Sequence, residues 1–406
     1  MPLARLETEL EKKLADLRAK GTLKGKETVI TAMLPPRHGK GPRFHLVGHG
    51  RKQFLKMNSN SYLGLSTDPK VMTAEHTATD RYGVGPGAVR FISGTYEPHA
   101  ELETRLARFH GRKSAMIFSA AYATIVGVLP QLIDKRTMVI SDELNHNSII
   151  NAIRLSRPAG KAIYRHCDME ALATKLEQSI GFCDRVIVVT DGIFSMRGDF
   201  APLAELVRIC KRYNPKFQQG VITVVDDSHG VGAFGRTGRG TEEYTKAKAD
   251  ILIATLGKSL GVNGGYVAAS STVIKFLRET APLYIYSNPI TPAEAAAAIK
   301  GLDILESKTG LSLLEHLRKM TRRFEQGIIR LGYETLKSEN PIVPLLTRDT
   351  RKTAQMVRFL FKNGILATGL NFPVVPKGDE EIRFQVSAGH TEKDIDYVLR
   401  ILKKFK

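Results

Sequence analysis

Cysteine is scarce in this sequence of 406 residues, which contains only Cys167, Cys183 and Cys210. They are widely spaced and form no CxxC pair or ligand cluster, so we expect reduced thiols and no metal site. Long apolar runs are missing too, because no stretch approaches the roughly 18 to 20 apolar residues that a membrane span needs. The charged N-terminus lacks the apolar core of a signal peptide. Together these absences predict a cytoplasmic protein without a membrane span.

Acidic residues are in short supply: 41 of them stand against 60 lysines and arginines, for a formal net charge of +19. The sequence has no basic run interleaved with aromatic residues and no zinc-finger or RNP pattern, so no nucleic-acid partner is expected. The excess charge indicates either a solvated basic surface or attraction to an acidic ligand. Coenzyme A phosphates and an acidic acyl-carrier protein are two such ligands.

The length of the chain predicts two domains of unequal size. Leucines at three- and four-residue steps from Leu3 to Leu17 predict an amphipathic helix that stops near Gly21. Short apolar runs alternate with helical patterns from about residue 101 to residue 271, and the pattern then changes. We therefore predict an N-terminal helix and extension, a large cofactor-binding domain and a small C-terminal α+β domain, over residues 1–57, 58–290 and 291–406.

The apolar runs of the central region lack the strict alternation of half-buried strands. This predicts a mainly parallel sheet that is covered by helices on both faces, in an α/β fold. The predicted strands are Ser114 to Phe118, Thr137 to Ser141, Arg185 to Thr190, Val221 to Asp226, Asp250 to Thr255 and Gly265 to Ala269.

Two of these strands end in polar residues that suit one cofactor. Lys258 follows the apolar run 250–254, and Asp226 and His229 follow the run 221–225. The carboxyl ends of parallel strands meet at the ligand edge of an open α/β sheet. A lysine there can hold pyridoxal phosphate as a Schiff base, and an aspartate can pair with the pyridine nitrogen. The pattern predicts an enzyme that depends on pyridoxal 5′-phosphate.

Two glycine motifs near these residues suggest other ligands. Gly230 to Gly235 matches GxGxxG, but glycines break the next segment, where a dinucleotide-binding turn should open a helix. Gly257-Lys258-Ser259 is similar to the end of a P-loop, but Leu252 stands where the earlier glycine is required. A nicotinamide-dependent oxidoreductase and an aminotransferase of the same fold stay open as alternatives.

Six motifs, in order, resemble those of the α-oxoamine synthases, which are pyridoxal-phosphate enzymes of fold type I. They are N-S-Y-L-G-L (60–65), R-F-I-S-G-T (90–95), D-E-L-N-H-N-S-I (142–149), D-G-I-F-S-M-R-G-D (191–199), D-D-S-H-G (226–230) and T-L-G-K-S-L-G (255–261). The resemblance runs nearly from end to end. It implies a homodimer with a shared active site, which condenses an amino acid with an acyl thioester.

The resemblance also implies roles for individual residues. Lys258 resembles the Schiff-base lysine, which also removes the substrate's α-proton. Asp226 and His229 are similar to the partners of the ring nitrogen and the ring hydroxyl, and His146 to the histidine that stacks on the ring. Further cofactor contacts are implied for Ser195, Ala121, Tyr122, Thr255 and the partner subunit's Ser287.

Two more residues, Asn60 and Arg383, match the family's site for the amino-acid carboxylate, a task that suits a guanidinium. Within the family, the run from Pro373 to Gly378 and the N-terminal helix with Gly21 and Lys24 resemble the glycine C-acetyltransferases. The expected reaction is condensation of glycine with acetyl-CoA to 2-amino-3-oxobutyrate. The alternative is a longer acyl-CoA or acyl-carrier thioester used with serine or alanine and decarboxylation, as in serine palmitoyltransferase or 8-amino-7-oxononanoate synthase.

Overall fold

The computed structural model of the chain describes residues 2–20, 22–23, 26–372 and 374–405. Contacts within the chain divide it into two compact units. Gly21, Lys24 and Pro373, which entered the predictions above, lie outside the described residues. The large unit comprises Asn60–Thr321 and Ser338–Pro341, and the small unit comprises Met1–Ser59, Arg322–Lys337 and Ile342–Lys406.

The regular elements are numbered here in chain order over the described residues. The helices are α1 (Pro2–Ala19), α2 (Pro69–Tyr82), α3 (Arg90–Ser93), α4 (Glu97–Phe109), α5 (Ala121–Leu132), α6 (Asn147–Leu155), α7 (Met169–Gln178), α8 (Leu203–Tyr213), α9 (Thr241–Thr245), α10 (Ser271–Thr280), α11 (Pro282–Ile285), α12 (Pro292–Leu305), α13 (Lys308–Arg330), α14 (Thr350–Lys362) and α15 (Glu392–Phe405). The strands are β1 (Ile30–Leu34), β2 (Arg43–Leu46), β3 (Leu55–Lys56), β4 (Ser114–Phe118), β5 (Thr137–Asp142), β6 (Gly160–Tyr164), β7 (Arg185–Asp191), β8 (Val221–Asp226), β9 (Ile251–Thr255), β10 (Gly265–Ala269), β11 (Glu334–Thr335), β12 (Ile342–Leu346), β13 (Ile365–Leu366), β14 (Thr368–Leu370) and β15 (Glu381–Gln385).

A seven-stranded sheet with the order β4-β10-β9-β8-β7-β5-β6 forms the centre of the large unit. The strands from β6 to β9 along this order pair in parallel, whereas β10 is antiparallel to both of its neighbours. The predicted mainly parallel α/β sheet is therefore confirmed. The edge strand β6 was not predicted, because its half-exposed and exposed residues interrupt the apolar run that marks the inner strands.

Helices cover both faces of this sheet, and the strand β7 illustrates why. Val186 and Val188 belong to a core that includes residues of α7 and α8. Ile187 and Val189, which point to the opposite face, belong to a second core with residues of α5, α6 and α10. Both sets are buried, so the strand reads as one continuous apolar run. The carboxyl ends of these strands remain as the edge at which polar residues can meet a ligand.

The small unit is built around an antiparallel sheet with the order β11-β12-β15-β14. Its N-terminal segment contributes the hairpin of β1 and β2 and the strand β3, which pairs with β13. Arg383 lies in the middle of β15, opposite Pro344 of β12 and Thr368 of β14. Of the helices described in either unit, none is long and apolar enough to cross a membrane.

The contacts group the chain differently from the predicted division at residue 290. The helix α12 and the first part of α13 are counted with the large unit. The reason is that α12 packs against α2 and α4 of that unit, and its Ala295 and Ala298 are buried. The extension before residue 58 is counted with the small unit, because its strands pair there. A change in composition thus does not mark the boundary that packing defines.

Candidate active site

One cavity at the carboxyl ends of the central strands brings together seven of the residues predicted for the site. They are Ala121, Tyr122, His146, Ser195, Asp226, His229 and Lys258. Their segments lie far apart in sequence, and each follows a strand of the sheet at the same edge. Four further residues complete the lining: Ser148, Asp191, Ile193 and Ser228.

The two acids at the end of β8 have different environments. Asp226 lines the cavity, and its Oδ1 accepts a hydrogen bond from the Ser228 backbone N–H at 3.0 Å. Asp227 is fully buried and accepts hydrogen bonds from the Thr241 N–H at 2.6 Å and the Thr241 hydroxyl at 2.7 Å. Burial raises the pKa of Asp227 to about 7. Asp226 is therefore the acid that can meet a ligand, whereas Asp227 is part of the core.

The GxGxxG motif after β8 does not form a dinucleotide-binding turn. Residues 230–235 run through turns, and the next helix, α9, begins only at Thr241. Gly230 packs against the Asp227 carboxyl, and Gly232 lies against Ser259. These glycines allow close packing around a buried acid, so the motif has a structural reason that needs no nicotinamide cofactor.

Lys258 lies in the loop after β9, half-buried at the cavity. The preceding turn is held by Thr255, whose hydroxyl donates to the Gly264 carbonyl at 3.1 Å and accepts from the Gly257 N–H at 3.0 Å. Thr255 itself does not line this cavity, so its predicted phosphate contact stays a prediction. Its hydrogen bonds place it as a support for the turn that presents Lys258.

His146 caps the N-terminus of α6. Its Nδ1 accepts hydrogen bonds from the Ser148 N–H at 3.2 Å and the Ser148 hydroxyl at 2.7 Å. A nitrogen that accepts a backbone N–H carries no proton, so the neutral ring carries its proton on Nε2. Burial is the main cause that lowers the pKa of His146. A neutral, planar ring at the cavity wall fits the predicted stacking role.

Tyr62 is a site residue that was not predicted. Its hydroxyl lies 2.7 Å from Nδ1 of His229 and 3.3 Å from Oδ1 of Asn60. Tyr62 therefore connects two predicted residues that belong to separate motifs. Because Tyr62 stands inside the N-S-Y-L-G-L motif, its position was visible in the sequence, but its partner was not.

Asp191 is another site residue that was not predicted. It is the last residue of β7, lines the cavity and accepts a hydrogen bond at Oδ2 from the His146 N–H at 3.0 Å. Burial and the neighbouring Asp226 charge hold the pKa of Asp191 well above its ordinary value. The signal was available, since Asp191 opens a motif that follows an apolar strand, as Asp226 does.

Asp142, His166 and Cys167 form one group whose ligand atoms lie close enough for a metal ion. The imidazole of His166, however, lies between two carboxylates, with Nδ1 3.0 Å from Asp142 and Nε2 3.2 Å from Asp199. Burial opposes the charged ring, but these two hydrogen bonds prevail and raise the pKa of His166 to about 11. Both ring nitrogens of His166 thus have carboxylate partners within the chain. Ion pairing therefore accounts for this group.

The cavity wall also fits the phosphate end of the predicted cofactor. The helix α5 starts at Ala121, and its N-cap residue Ala120 has no side-chain cap, so the first backbone N–H groups are available for an anion. Gly265 permits this arrangement, because a Cβ there would come within 2.5 Å of the Ala121 backbone. Ser228 Oγ is buried at the cavity and has no hydrogen-bond partner among the described residues. The first N–H groups of α5 and the Ser228 hydroxyl can donate hydrogen bonds to a phosphate, and Asp226 can pair with a pyridine nitrogen. This set of groups matches a phosphorylated pyridine.

Besides Thr255, three predicted residues stand apart from this lining. Asn60 is connected to the cavity residue His229 by the Tyr62 hydroxyl. Ser287 is half-buried after α11, and its predicted role is toward a partner subunit. Arg383 belongs to the small unit. Their roles in binding the cofactor or the amino acid therefore stay predictions.

Comparison with known proteins gives a family match over most of the chain. A family model described as aminotransferase class I and II matches residues 52–402. An 8-amino-7-oxononanoate synthase from Thermoanaerobacter pseudethanolicus is 36% identical over 397 residues, which is 97% of this chain and 96% of that protein. Another, from Geobacter metallireducens, is 40% identical over 346 residues, or 85% of this chain and 86% of that protein.

Solved structures agree with this match. The serine palmitoyltransferase of Sphingomonas wittichii gives a TM-score of 0.88 at 26% identity, over 99% of this chain and 97% of that chain. The enzyme of S. paucimobilis, solved with bound PLP–myriocin, gives 0.85 at 26% identity, over 98% and 96%. An 8-amino-7-oxononanoate synthase from Francisella tularensis gives 0.72 at 22% identity, over 86% and 97%, and supports the fold alone. The predicted fold type I is thereby confirmed.

Proposed function

Because the chain belongs to the α-oxoamine synthases, within aminotransferase class I and II, we propose that it is an 8-amino-7-oxononanoate synthase. Relatives of that name, 35–40% identical over at least 85% of this chain, are the observation that carries the proposal. The comparisons thus favour the alternative stated above over the glycine C-acetyltransferase prediction, which no finding supports.

The proposed product indicates the substrates. In 8-amino-7-oxononanoate the carbon that bears the amino group also bears a methyl group, as in alanine after loss of its carboxylate. The rest of the product is an acyl group of seven carbons that ends in a carboxylate. The reaction is therefore condensation of alanine with a pimeloyl thioester. A carbon–carbon bond forms at the alanine Cα, the bonds to the carboxylate and to sulfur break, and carbon dioxide and a free thiol leave.

The cofactor of this family is pyridoxal 5′-phosphate, which when bound supplies an aldehyde for the amino group and an electron sink for a carbanion at Cα. We assign Asp226 to the pyridine nitrogen, because it is the cavity-lining acid of β8. The helix α5 presents N–H groups for the phosphate, and His146 offers a flat neutral ring. His229 and Ser195 lie at the same cavity and suit the ring oxygen.

Proton movement falls to Lys258 and His146. Lys258, at the cavity, accepts the α-proton of the amino acid. The Nε2–H of His146 is free to donate toward the thioester oxygen, because its Nδ1 is occupied as an acceptor. Asn60 and Arg383 are assigned to the substrate carboxylate, and a homodimer is assigned in which the partner subunit's Ser287 contacts the phosphate.

Purified protein supplied with pyridoxal 5′-phosphate tests this function. We expect a visible absorbance band and release of thiol and carbon dioxide from alanine with a pimeloyl thioester. Lys258→Ala should remove the visible absorbance band of the cofactor joined to Lys258. It should also lower turnover by about 10²–10⁴-fold or more, since general-base catalysis is lost. Lys161→Ala, an exposed lysine on β6, is the matched control.

Glycine, serine, acetyl-CoA and palmitoyl-CoA complete the panel of substrates. A higher kcat/KM for glycine with acetyl-CoA than for alanine with the pimeloyl thioester would contradict the proposed substrates and leave the cofactor assignment standing. A protein that binds no pyridoxal phosphate would contradict the assignment itself. A pyridoxamine product formed with a keto acid would instead indicate an aminotransferase.

A further inference from the structure

Two carboxyl groups end neighbouring strands at the base of the active-site cavity. Asp191 closes β7 and Asp226 closes β8, and they are direct partners in the parallel register of these strands. Residues that are paired in register point to the same face, about 5 Å apart at the backbone. Both side chains are buried, with 4% and 7% of their surface exposed, and both line the cavity.

Two buried carboxyls that interact electrostatically, as Asp191 and Asp226 do, do not both ionise readily. The charged or titratable groups around Asp191 are Asp226 on β8, Lys258 after β9, and Asp142 and His146 after β5. Burial and Asp226 oppose ionisation of Asp191, whereas the His146 N–H and Lys258 favour it, and the balance raises its pKa well above the ordinary value. The proton of the pair thus belongs on Asp191.

Hydrogen bonds tie Asp191 to the loop that carries His146. The carboxyl accepts from the His146 N–H at 3.0 Å, and the Asp191 N–H donates to the Asn145 side chain at 2.8 Å. Asn145 in turn donates to the Val189 carbonyl and to Ser141 Oγ, both at 2.9 Å. The end of β7 therefore holds His146 from two directions.

On the basis of the proposed function, we propose that Asp191 is a positioning residue that acts as a neutral carboxylic acid. It fixes the backbone of His146 against the cofactor ring and leaves Asp226 as the single anion of the pair at the ring nitrogen. A carboxylate at residue 191 would place a second negative charge near the cofactor and would compete for its proton.

Substitution by asparagine and by alanine separates these roles. Asparagine has the shape of the neutral acid and keeps an oxygen for the His146 N–H, whereas alanine leaves that N–H without its acceptor. We expect D191A to lower kcat by about 10- to 100-fold, and D191N to rescue most of this loss. In D191N, the affinity for pyridoxal phosphate and the pH midpoint of its visible absorbance should stay near those of the wild type.

The pH midpoint tests the charge on Asp191, because asparagine in place of a neutral acid leaves the charge near the cofactor unchanged, whereas asparagine in place of a carboxylate removes one negative charge. A midpoint that shifts in D191N by about one unit or more would show that Asp191 is charged and would overturn the proposal. So would a D191A enzyme with wild-type kcat. Glu170→Gln, an exposed acid on α7, is the control for loss of one carboxylate. Wild-type protein that binds no pyridoxal phosphate would refute the proposed function, so the two failures are distinguishable.

Discussion

Asp227 determines the residue type at three positions around it. A Cβ at Gly192, Gly230 or Gly240 would come within 2.4, 2.1 or 1.9 Å of its carboxyl oxygens. The carboxyl cannot move aside without losing its hydrogen bonds to Thr241. At the scale of single residues, the glycines near the site therefore make room for a buried acid, which explains a motif that otherwise suggests a dinucleotide.

We expect Gly230→Ala to lower the free energy of unfolding by about 2–4 kcal/mol, because the new methyl group overlaps this fixed carboxyl. Gly85→Ala is the matched control: neither glycine has a positive φ, and nothing lies within 4 Å of a Cβ at Gly85. The control should change stability by less than about 0.5 kcal/mol. Urea unfolding measures both. Equal free energies of unfolding for the two variants would contradict the inference that the Asp227 carboxyl is held in place by its hydrogen bonds to Thr241.

At the scale of elements, the loops after β5, β6 and β7 are linked by one side chain. His166, after β6, contacts Asp142 at the end of β5 and Asp199 in the loop after β7. The segment after β5 carries His146, and the loop after β7 carries Ser195. The parallel strands β5 and β7 thus deliver cavity residues, and acids that follow or end these strands share a charged hydrogen-bond partner from the segment after β6.

This link predicts a pH-dependent contribution to stability. The pKa of His166 is raised from 6.5 to about 11 by the two carboxylates, with Cys167 also beside the ring. Because the pKa is raised in the folded protein, the stabilisation that His166 contributes is complete below about pH 6.5 and is lost as the pH rises toward 11. We expect His166→Gln to cost about 2 kcal/mol at pH 6, and the difference from wild type to shrink between pH 7 and pH 10.

Denaturant unfolding of both proteins at several pH values provides the measurement. The same substitution at the exposed His76 controls for loss of an imidazole. A difference between wild type and His166→Gln that grows with pH would have the wrong sign for an imidazolium held by carboxylates.

At the scale of the whole molecule, the net charge of +19 bears on the encounter with the proposed substrates, with an acyl-CoA taken as the thioester. An acyl-CoA is strongly anionic, whereas alanine carries no net charge. A basic protein attracts the first at long range, and salt screens this attraction within about 10 Å at 0.1 M and about 3 Å at 1 M. The sequence leaves open whether this charge is only a solvated surface or attracts an acidic ligand. The salt dependence of the reaction with the acyl-CoA distinguishes the two.

We expect kcat/KM for the acyl-CoA to fall by about 3- to 10-fold when salt is raised from about 0.05 M to about 0.5 M. For alanine, measured with saturating acyl donor, the change should stay within about twofold. Steady-state kinetics at both salt concentrations test this difference. A similar decrease for both substrates would point to a general effect of salt on the enzyme instead of steering of the donor.

The sequence alone was enough for the family, the cofactor and most strands of the central sheet, because a buried strand and the polar residues at its end are local features. Val221–Asp226 and Gly265–Ala269 were predicted with the bounds that the structure has. The edge strand β6 was missed, since two of its five residues are exposed and only one is buried. The boundary between the two units also could not be read from a local pattern. The helix α12 is counted with the large unit because it packs against α2 and α4, which are distant in sequence.

What only the tertiary structure decided is which strand ends are neighbours. The order of β7 and β8, the reversal of β10 and the pairing of Asp191 with Asp226 depend on contacts between distant segments. The same holds for Tyr62 and His229, which are 167 residues apart in sequence. Periodicity along a chain reports which residues are buried, whereas a shared proton or a hydrogen bond requires two atoms within a few ångströms, and that distance is set only when the sheet is assembled.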